Sequence, residues 1–295
     1  MEDVFKRTRL AVRRRSNGLQ IPWESTSLEE DYWFHPPKEL KKLADAEIER
    51  DFKQELAVWE KIQNATQPSP FEDYLRRYPS GRFSELAQLQ LDRVLARLGE
   101  KKVDVVAAPE NPYTKGTVSA NTAYKLRDRY TYRVFDTRFR VEQKPFTNTV
   151  TDITENEVIF NDGVIVTDLL RNFRKDSEGR QYAATQTVPT EFVVGKRWNT
   201  RFRHVDRSGR DGVVDLELRV ADRENITVPA GTFNAFRIEA RGWRSSSGPN
   251  TSWNWKRWFA PDQVRSVVAE EWFVQTTRLD TVRSERLELA EFSQS

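Results

Sequence analysis

The sequence predicts an α+β protein: an N-terminal helical portion, then a C-terminal domain built as an antiparallel, strongly curved β-sheet. Three observations carry this. Up to Leu98, apolar residues recur at three- and four-residue spacing, the mark of amphipathic helices. From Tyr124 onward the period becomes two, as in half-buried strands. Between these stretches, residues 100–123 carry Pro109, Pro112, Gly116 and small polar side chains without periodicity, as a linker does. The expected divisions are residues 1–37, 38–99, 100–123 and 124–295.

Composition bounds the function classes. With 295 residues the chain can form two compact domains. Hydrophobic residues at 37% and charged residues at 32% describe a folded, well-solvated protein, too rich in aromatics for disorder. The 48 basic and 45 acidic residues are interleaved, so no basic field exists to attract nucleic acid. No run approaches the length of a membrane span, and Met1 to Leu10 lacks the apolar centre of a secretory signal, so a soluble chain with no membrane span is expected. The absence of cysteine removes disulfides, thiolate metal sites and cysteine nucleophiles, and leaves the redox compartment open.

The first helix is expected over Glu2 to Arg15, where Val4, Phe5, Thr8, Ala11 and Val12 form one face. Acids in its first turn and arginines in its last suit the helix dipole, and Asn17-Gly18 ends it. The run Arg13 to Arg15 reads as a solvated face rather than a nucleic-acid or membrane patch. An extended segment from Leu19 to Leu28 follows, and then a short strand, Asp31-Tyr-Trp-Phe34, stopped by Pro36-Pro37.

That helix, followed by Gln20-Ile-Pro22-Trp23-Glu-Ser25-Thr-Ser27-Leu28 and an aromatic strand, resembles the C-terminal end of the catalytic domain of bacterial caspase-like (metacaspase-type) cysteine peptidases. The resemblance covers about the first 35 residues and marks Gln20, Pro22, Trp23, Ser25, Ser27 and Leu28 as the family motif. It implies that residues 1–37 are the remnant of a caspase-like domain, the last helix and strand of a mixed sheet, and that the chain is the downstream portion of a longer peptidase. Catalysis in that family needs a thiolate and an imidazole. This chain has no cysteine, and His35 follows the strand, so no catalytic residue is carried over and His35 reads as an ordinary loop residue.

The strongest helix pattern runs from Lys38 to Ile62, with Leu40, Leu43, Ile48, Phe52, Leu56, Trp59 and Ile62 on one face. Ser69-Pro70 reads as an N-cap and first-turn proline for a short helix bearing Phe71, Tyr74, Leu75 and Tyr78. A last helix carries Phe83, Leu86, Ala87, Leu91, Val94, Leu95 and Leu98, closed by Gly99. The unit from Phe71 to Phe83 resembles the helical hairpin found after bacterial caspase-like domains and in tetratricopeptide-like segments. It occurs once and reads as a helical spacer rather than as a peptide-binding element.

In the β domain, Tyr130-Tyr132-Val134, Val158-Phe160, Val164-Val166, Val214 to Val220 and Leu287-Leu289 alternate with polar residues. Asn161-Asp-Gly163 is a hairpin turn signal, and Asp176 to Gly179, Ser208-Gly209 and Pro229-Ala-Gly231 punctuate similarly. About ten strands are expected. Phrases such as Thr227-Val-Pro-Ala-Gly-Thr-Phe233, Trp258-Phe-Ala-Pro261 and Gly195-Lys-Arg-Trp198 are similar to a bacterial family of curved β-sheet domains of unassigned biochemistry, several of them exported.

Five of the nine tryptophans lie between Ile226 and Phe273, so the largest core is expected there. Trp243, Trp253, Trp255 and Trp258 are the candidate ligand-binding residues, by stacking on a sugar or a peptide. Alternation puts Trp253 and Trp255 on one face and Trp258 on the other, so core packing is the competing reading. His204 shares a face with Phe202 and reads as a buried or half-exposed histidine rather than a metal ligand or base. Asp215, Glu217, Glu239, Glu270 and Glu271 face solvent or have basic neighbours, so no carboxylate acid–base pair is marked. No metal-ligand spacing, phosphate loop or serine elbow is present. No catalytic residue, metal or cofactor is therefore expected. The leading expectation is a non-catalytic accessory portion of a caspase-like peptidase, whose β domain binds a protein or peptide partner or the missing caspase-like portion. The alternative is a free-standing binding module of the bacterial envelope with an aromatic groove. The compartment is left open, periplasmic or secreted if the chain derives from a longer exported parent. An enzyme with an unmarked carboxylate site comes third.

Overall fold

A computed structural model of the chain describes residues 2–22, 45–100, 117–183 and 185–295. They fall into two compact units, Met1–Lys115 and Gly116–Ser295.

The first unit is helical: α1 (Glu2–Arg15), α2 (Asp45–Ile62), α3 (Pro68–Arg77) and α4 (Ser84–Arg97). Its core is aromatic. Trp59 stacks on Phe83 at 5.9 Å and meets Tyr74 edge-on at 6.1 Å, with Phe52, Phe71 and Leu91 buried around them. Glu55 is buried in this core and accepts hydrogen bonds from the Tyr74 hydroxyl and the Arg82 amide, each at 2.6 Å, and from Arg82 Nη1 at 3.1 Å. Burial, and then the neighbouring Glu55 carboxylate, pushes the Tyr74 phenol well above its usual range. Helix α3 begins at Pro68 with Gln67 as its N-cap, two residues earlier than Ser69-Pro70 suggests.

Helix α1 belongs to this unit. Arg13 is only 4% exposed: its guanidinium is held by Asp92 and by Glu100, to which Nε donates at 3.1 Å. Arg14 pairs with Glu72 at 2.6 Å. The solvated-face reading of the arginine run is thus corrected at Arg13, because two carboxylates from α4 and its C-terminal turn meet one guanidinium. Of the expected motif, Gln20 and Pro22 are described; Trp23, Ser25, Ser27, Leu28, the Asp31–Phe34 strand, His35 and the first residues of the Lys38 helix lie outside the described residues, as does most of the linker stretch.

The second unit goes beyond the expected strongly curved antiparallel sheet of about ten strands. Its strands are β1 (Val118–Ser119), β2 (Arg129–Asp136), β3 (Val141–Ile153), β4 (Glu157–Phe160), β5 (Ile165–Asp168), β6 (Phe173–Lys175), β7 (Gln181–Tyr182), β8 (Glu191–Phe192), β9 (Arg197–Val205), β10 (Asp211–Val228), β11 (Gly231–Ser246), β12 (Thr251–Phe259), β13 (Val267–Thr276) and β14 (Thr281–Ser293). Twelve of these close into an antiparallel barrel in the order β10-β11-β12-β13-β14-β2-β3-β4-β5-β6-β7-β9, and β1 pairs with β8 apart from it. The fold class expected from sequence, an α+β chain with a caspase remnant and a curved sheet, is corrected accordingly. Closure has a visible cause. Register shifts interrupt seven of the ladders, for example at Val220/Asp222, Trp258/Phe259 and Tyr132/Val134, and each such bulge bends its strand and sharpens the twist. The last gap is bridged by β6 and β7, three and two residues long, too short for alternation to reveal.

Two local features fix the strand pairing. Asn161, Asp162 and Gly163 all take positive φ in the β4–β5 turn, which matches the turn signal in the sequence. At Gly242 a Cβ would stand 1.8 Å from the carbonyl oxygen of Asp215, so β10 and β11 approach as they do only over a glycine.

One end of the barrel, its base, carries the β10–β11 turn and the Ala260–Ser266 connection. The other carries the connections 137–140, 206–210, 247–250 and 277–280. Inward side chains near the base, such as Tyr132, Phe236, Ile238 and Leu289, are fully buried. Toward the opposite end the same inward rows become reachable by solvent: Trp272, Arg283, Glu285 and Leu287 are half-buried, and Val141 and Gln143 are exposed. That end is the mouth.

Candidate functional site

Alternation along β12 sends Trp253, Trp255 and Arg257 into the barrel, opposite Val274, Trp272 and Glu270 of β13. The rings form one cluster: Trp253 meets Trp272 edge-on at 5.5 Å, and Trp255 lies 6.0 Å from Trp272. Arginines interleave with them. Arg257 sits 4.3 Å over Trp255 and 5.5 Å from Trp272, and Arg283 of β14 lies 5.1 Å over Trp272. Each cation has its anion, Arg257 with Glu270 at 2.5 Å and Arg283 with Glu285 at 2.6 Å. The Trp272 indole N–H donates to Glu270, which ties the ring to the ion pair. The result is an inward wall of flat apolar faces flanked by paired donors and acceptors, with Trp272 as its solvent-reachable member.

On the other side of the interior, His204 of β9 meets Trp253 at 5.4 Å and Tyr182 at 5.0 Å. It is 3% exposed, and its Nδ1 accepts from Arg244 Nε at 2.9 Å, which fixes the neutral form with the proton on Nε2. That Nε2 is buried and has no hydrogen-bond partner among the described residues. Burial, then the charges of Arg244 and Arg180, pull the His204 pKa down to about 4. The unfolded chain, with an ordinary histidine pKa near 6.5, takes up the proton first. Stability from keeping His204 neutral is therefore complete above pH 6.5 and is lost as pH falls from 6.5 toward 4, by about 3 kcal/mol. Urea unfolding of the wild type should weaken across that window, and His204→Gln should remove that part of the slope. Parallel pH profiles for the two proteins would show that His204 does not titrate as its surroundings require.

The tryptophans expected to bind ligand divide. Trp253 and Trp255 face inward and join the cluster. Trp258 lies on the outer face, buried under its neighbours, with its indole N–H donating to Glu224 at 2.8 Å and Arg286 5.8 Å from its ring. Trp243 is also outward, 51% exposed, and paired in register with Ser252 of β12. Trp272 and Arg257 are the members that sequence reading passed over, and Glu270, expected to face solvent or a basic neighbour, points inward instead. A signal existed: Arg257 stands two residues beyond Trp255, on the same face of the strand.

Most of the carboxylates weighed for chemistry are in outer-face ion pairs: Asp215 with Arg201, Glu217 with Arg241, Glu239 with Arg219 and Glu271 with Arg286. Glu270 differs, since it points inward. No group of three metal-ligating side chains occurs among the described residues. At the base, a recess between Tyr124, Leu170, Arg171, Val188, Phe259 and Val264 has a free volume of about 20 Å³, room for a water-sized occupant. A recess of that size does not admit a ring-sized ligand. No helix among the described residues is long and apolar enough to cross a membrane.

No family model and no curated protein matches the chain. Among solved structures it is similar to a protein of Bacteroides fragilis described as exported and of YmcC-like fold, at 8% identity and a TM-score of 0.36 over 60% of this chain and 100% of that one. A protein described as a lipoprotein from Parabacteroides distasonis is similar at 10% identity and 0.37, over 60% and 100%. The hypothetical lipoprotein YmcC of Escherichia coli is similar at 11% identity and 0.36, over 58% and 87%. Since no family model matches the chain, the caspase-like resemblance is corrected, and with it the remnant assigned to residues 1–37, the motif role of Gln20 to Leu28, and the reading of the chain as an accessory portion that pairs with a missing caspase-like part. A helix with an apolar face and a Pro-Trp segment after it is a pattern that many folds share, and here α1 packs within its own helical unit.

Proposed function

We propose that this chain is a non-catalytic binding module of the cell envelope, whose barrel mouth takes a neutral ligand with flat faces and hydroxyl groups, as sugar rings have. One observation carries the reading. The inward wall offers a reachable indole, Trp272, backed by Trp253 and Trp255 and bordered by the pairs Arg257–Glu270 and Arg283–Glu285. A sugar presents C–H faces that stack on an aromatic ring and hydroxyls that both donate and accept. Because each arginine already has a carboxylate partner, the wall has both donors and acceptors to give and no surplus charge to demand an anion.

Titrating neutral oligosaccharides of several linkages against tryptophan fluorescence tests this. At least one should change the emission, and Trp272→Ala should abolish the response while its melting temperature shows the barrel intact. A ligand series to which wild type and Trp272→Ala respond alike would remove the proposal. Residence in the envelope is checked separately, by finding the native protein in the envelope fraction of its source cells.

A further inference from the structure

The mouth carries a second, outward feature. The β2–β3 turn exposes Phe139 (67%), and the β13–β14 turn exposes Leu279 (75%), with Val282 (61%) exposed at the start of β14. These hairpins are neighbours, because β14 pairs with β2, and near the tips the Thr137 amide donates to Ser284 O at 2.9 Å. Both tips are built rigidly. Asp136 accepts from the amides of Arg138 and Phe139 at 2.9 Å each, and Thr276 Oγ1 accepts from the amides of Arg278 and Asp280 at 3.2 Å each. Leu279 is held at φ 65°, a conformation that a branched side chain rarely adopts.

The charges around these side chains have one sign to spare. Arg138, Arg140 and Arg278 are exposed on the same two turns, and no carboxylate pairs with them among the described residues. Asp136 and Asp280 sit at the turn roots, where their side chains serve the turns themselves. Phe139 and Leu279 stand beside these arginines, Arg138 Cζ lying 5.1 Å over the Phe139 ring, and exposed apolar side chains bordered by arginines without a carboxylate partner suit an anionic lipid surface, which offers hydrocarbon and phosphate together. A protein partner would call for a broader, flatter apolar patch than two turn summits supply.

We propose that the paired tips dock the mouth of the barrel on a membrane surface rich in anionic phospholipid, with Phe139 and Leu279 entering the acyl boundary and Arg138, Arg140 and Arg278 meeting phosphates. This is independent of what the inward wall binds. The probe is sedimentation of the full-length chain with vesicles of phosphatidylglycerol and phosphatidylethanolamine, against vesicles of phosphatidylcholine alone. The chain should sediment with the anionic vesicles, and less so as salt rises. Phe139→Ser/Leu279→Ser should weaken binding by roughly tenfold or more, and Arg138→Gln/Arg140→Gln/Arg278→Gln should abolish the preference for anionic lipid. Since all five positions are exposed, both variants should keep the wild-type melting temperature. Failure to bind anionic vesicles, or binding that neither variant alters, overturns the proposal. So does a wild-type dimer that Phe139→Ser/Leu279→Ser converts to monomer, for the tips would then serve a second copy of the chain.

Discussion

Glu270→Gln is expected to destabilise the barrel by about 3 to 5 kcal/mol, the range for removing one partner of a buried ion pair. The side chains of Arg257 and Glu270 are 6% and 13% exposed, so the guanidinium has little water to fall back on when its carboxylate is gone. Thr187 Oγ1, at 3.3 Å from Nη1, and the faces of Trp255 and Trp272 remain, but none of them carries a charge. For a unit of this size the melting temperature should fall by about 10 °C. Removing both charges tells a different story: Arg257→Met/Glu270→Leu should return to within about 1 to 2 kcal/mol of wild type, since a buried pair replaced by apolar side chains is often neutral. Urea titration followed by near-ultraviolet circular dichroism reads both. Equal stability of wild type and Glu270→Gln would mean that water reaches Arg257 and that the pair is part of the open mouth rather than the wall behind it.

Trp255→Ala should cost a similar amount, about 3 to 5 kcal/mol, for a different reason. Trp255 is 3% exposed, under the Arg257 guanidinium and against Trp272, so truncation leaves a cavity and takes the π-face from a buried cation. Trp272→Ala, at a half-buried ring, should cost less. The order of the two losses separates the supporting tryptophan from the one proposed to meet ligand. If Trp255→Ala melts like wild type and yet loses the fluorescence response to ligand, then Trp255 is itself the contact and the assignment of roles reverses.

The sequence was informative wherever one strand or one helix decides the matter. Period-two alternation placed Trp253 and Trp255 on one face and Trp258 on the other, and put His204 beside Phe202, because side-chain direction along a strand is a local property. It likewise marked α3, α4 and the Asn161-Asp-Gly163 turn. It misled where a local pattern was taken as a family mark. An amphipathic helix and the residues from Gln20 to Leu28 implied a caspase-like domain, yet Arg13 of that helix is bound by Asp92 and Glu100, some eighty residues downstream.

By itself, then, the sequence determined the helical start, the β-rich remainder, the aromatic core and the lack of any cysteine chemistry. Closure of the barrel, the meeting of Arg257 with Glu270, the contact of His204 with Trp253 and the adjacency of the Phe139 and Leu279 tips were decided only in three dimensions. Each depends on which strand lies beside or across from which. That is settled by bulges, by a close approach at Gly242 and by two very short strands that complete the ring, and the hydrophobic period of a single strand registers none of these.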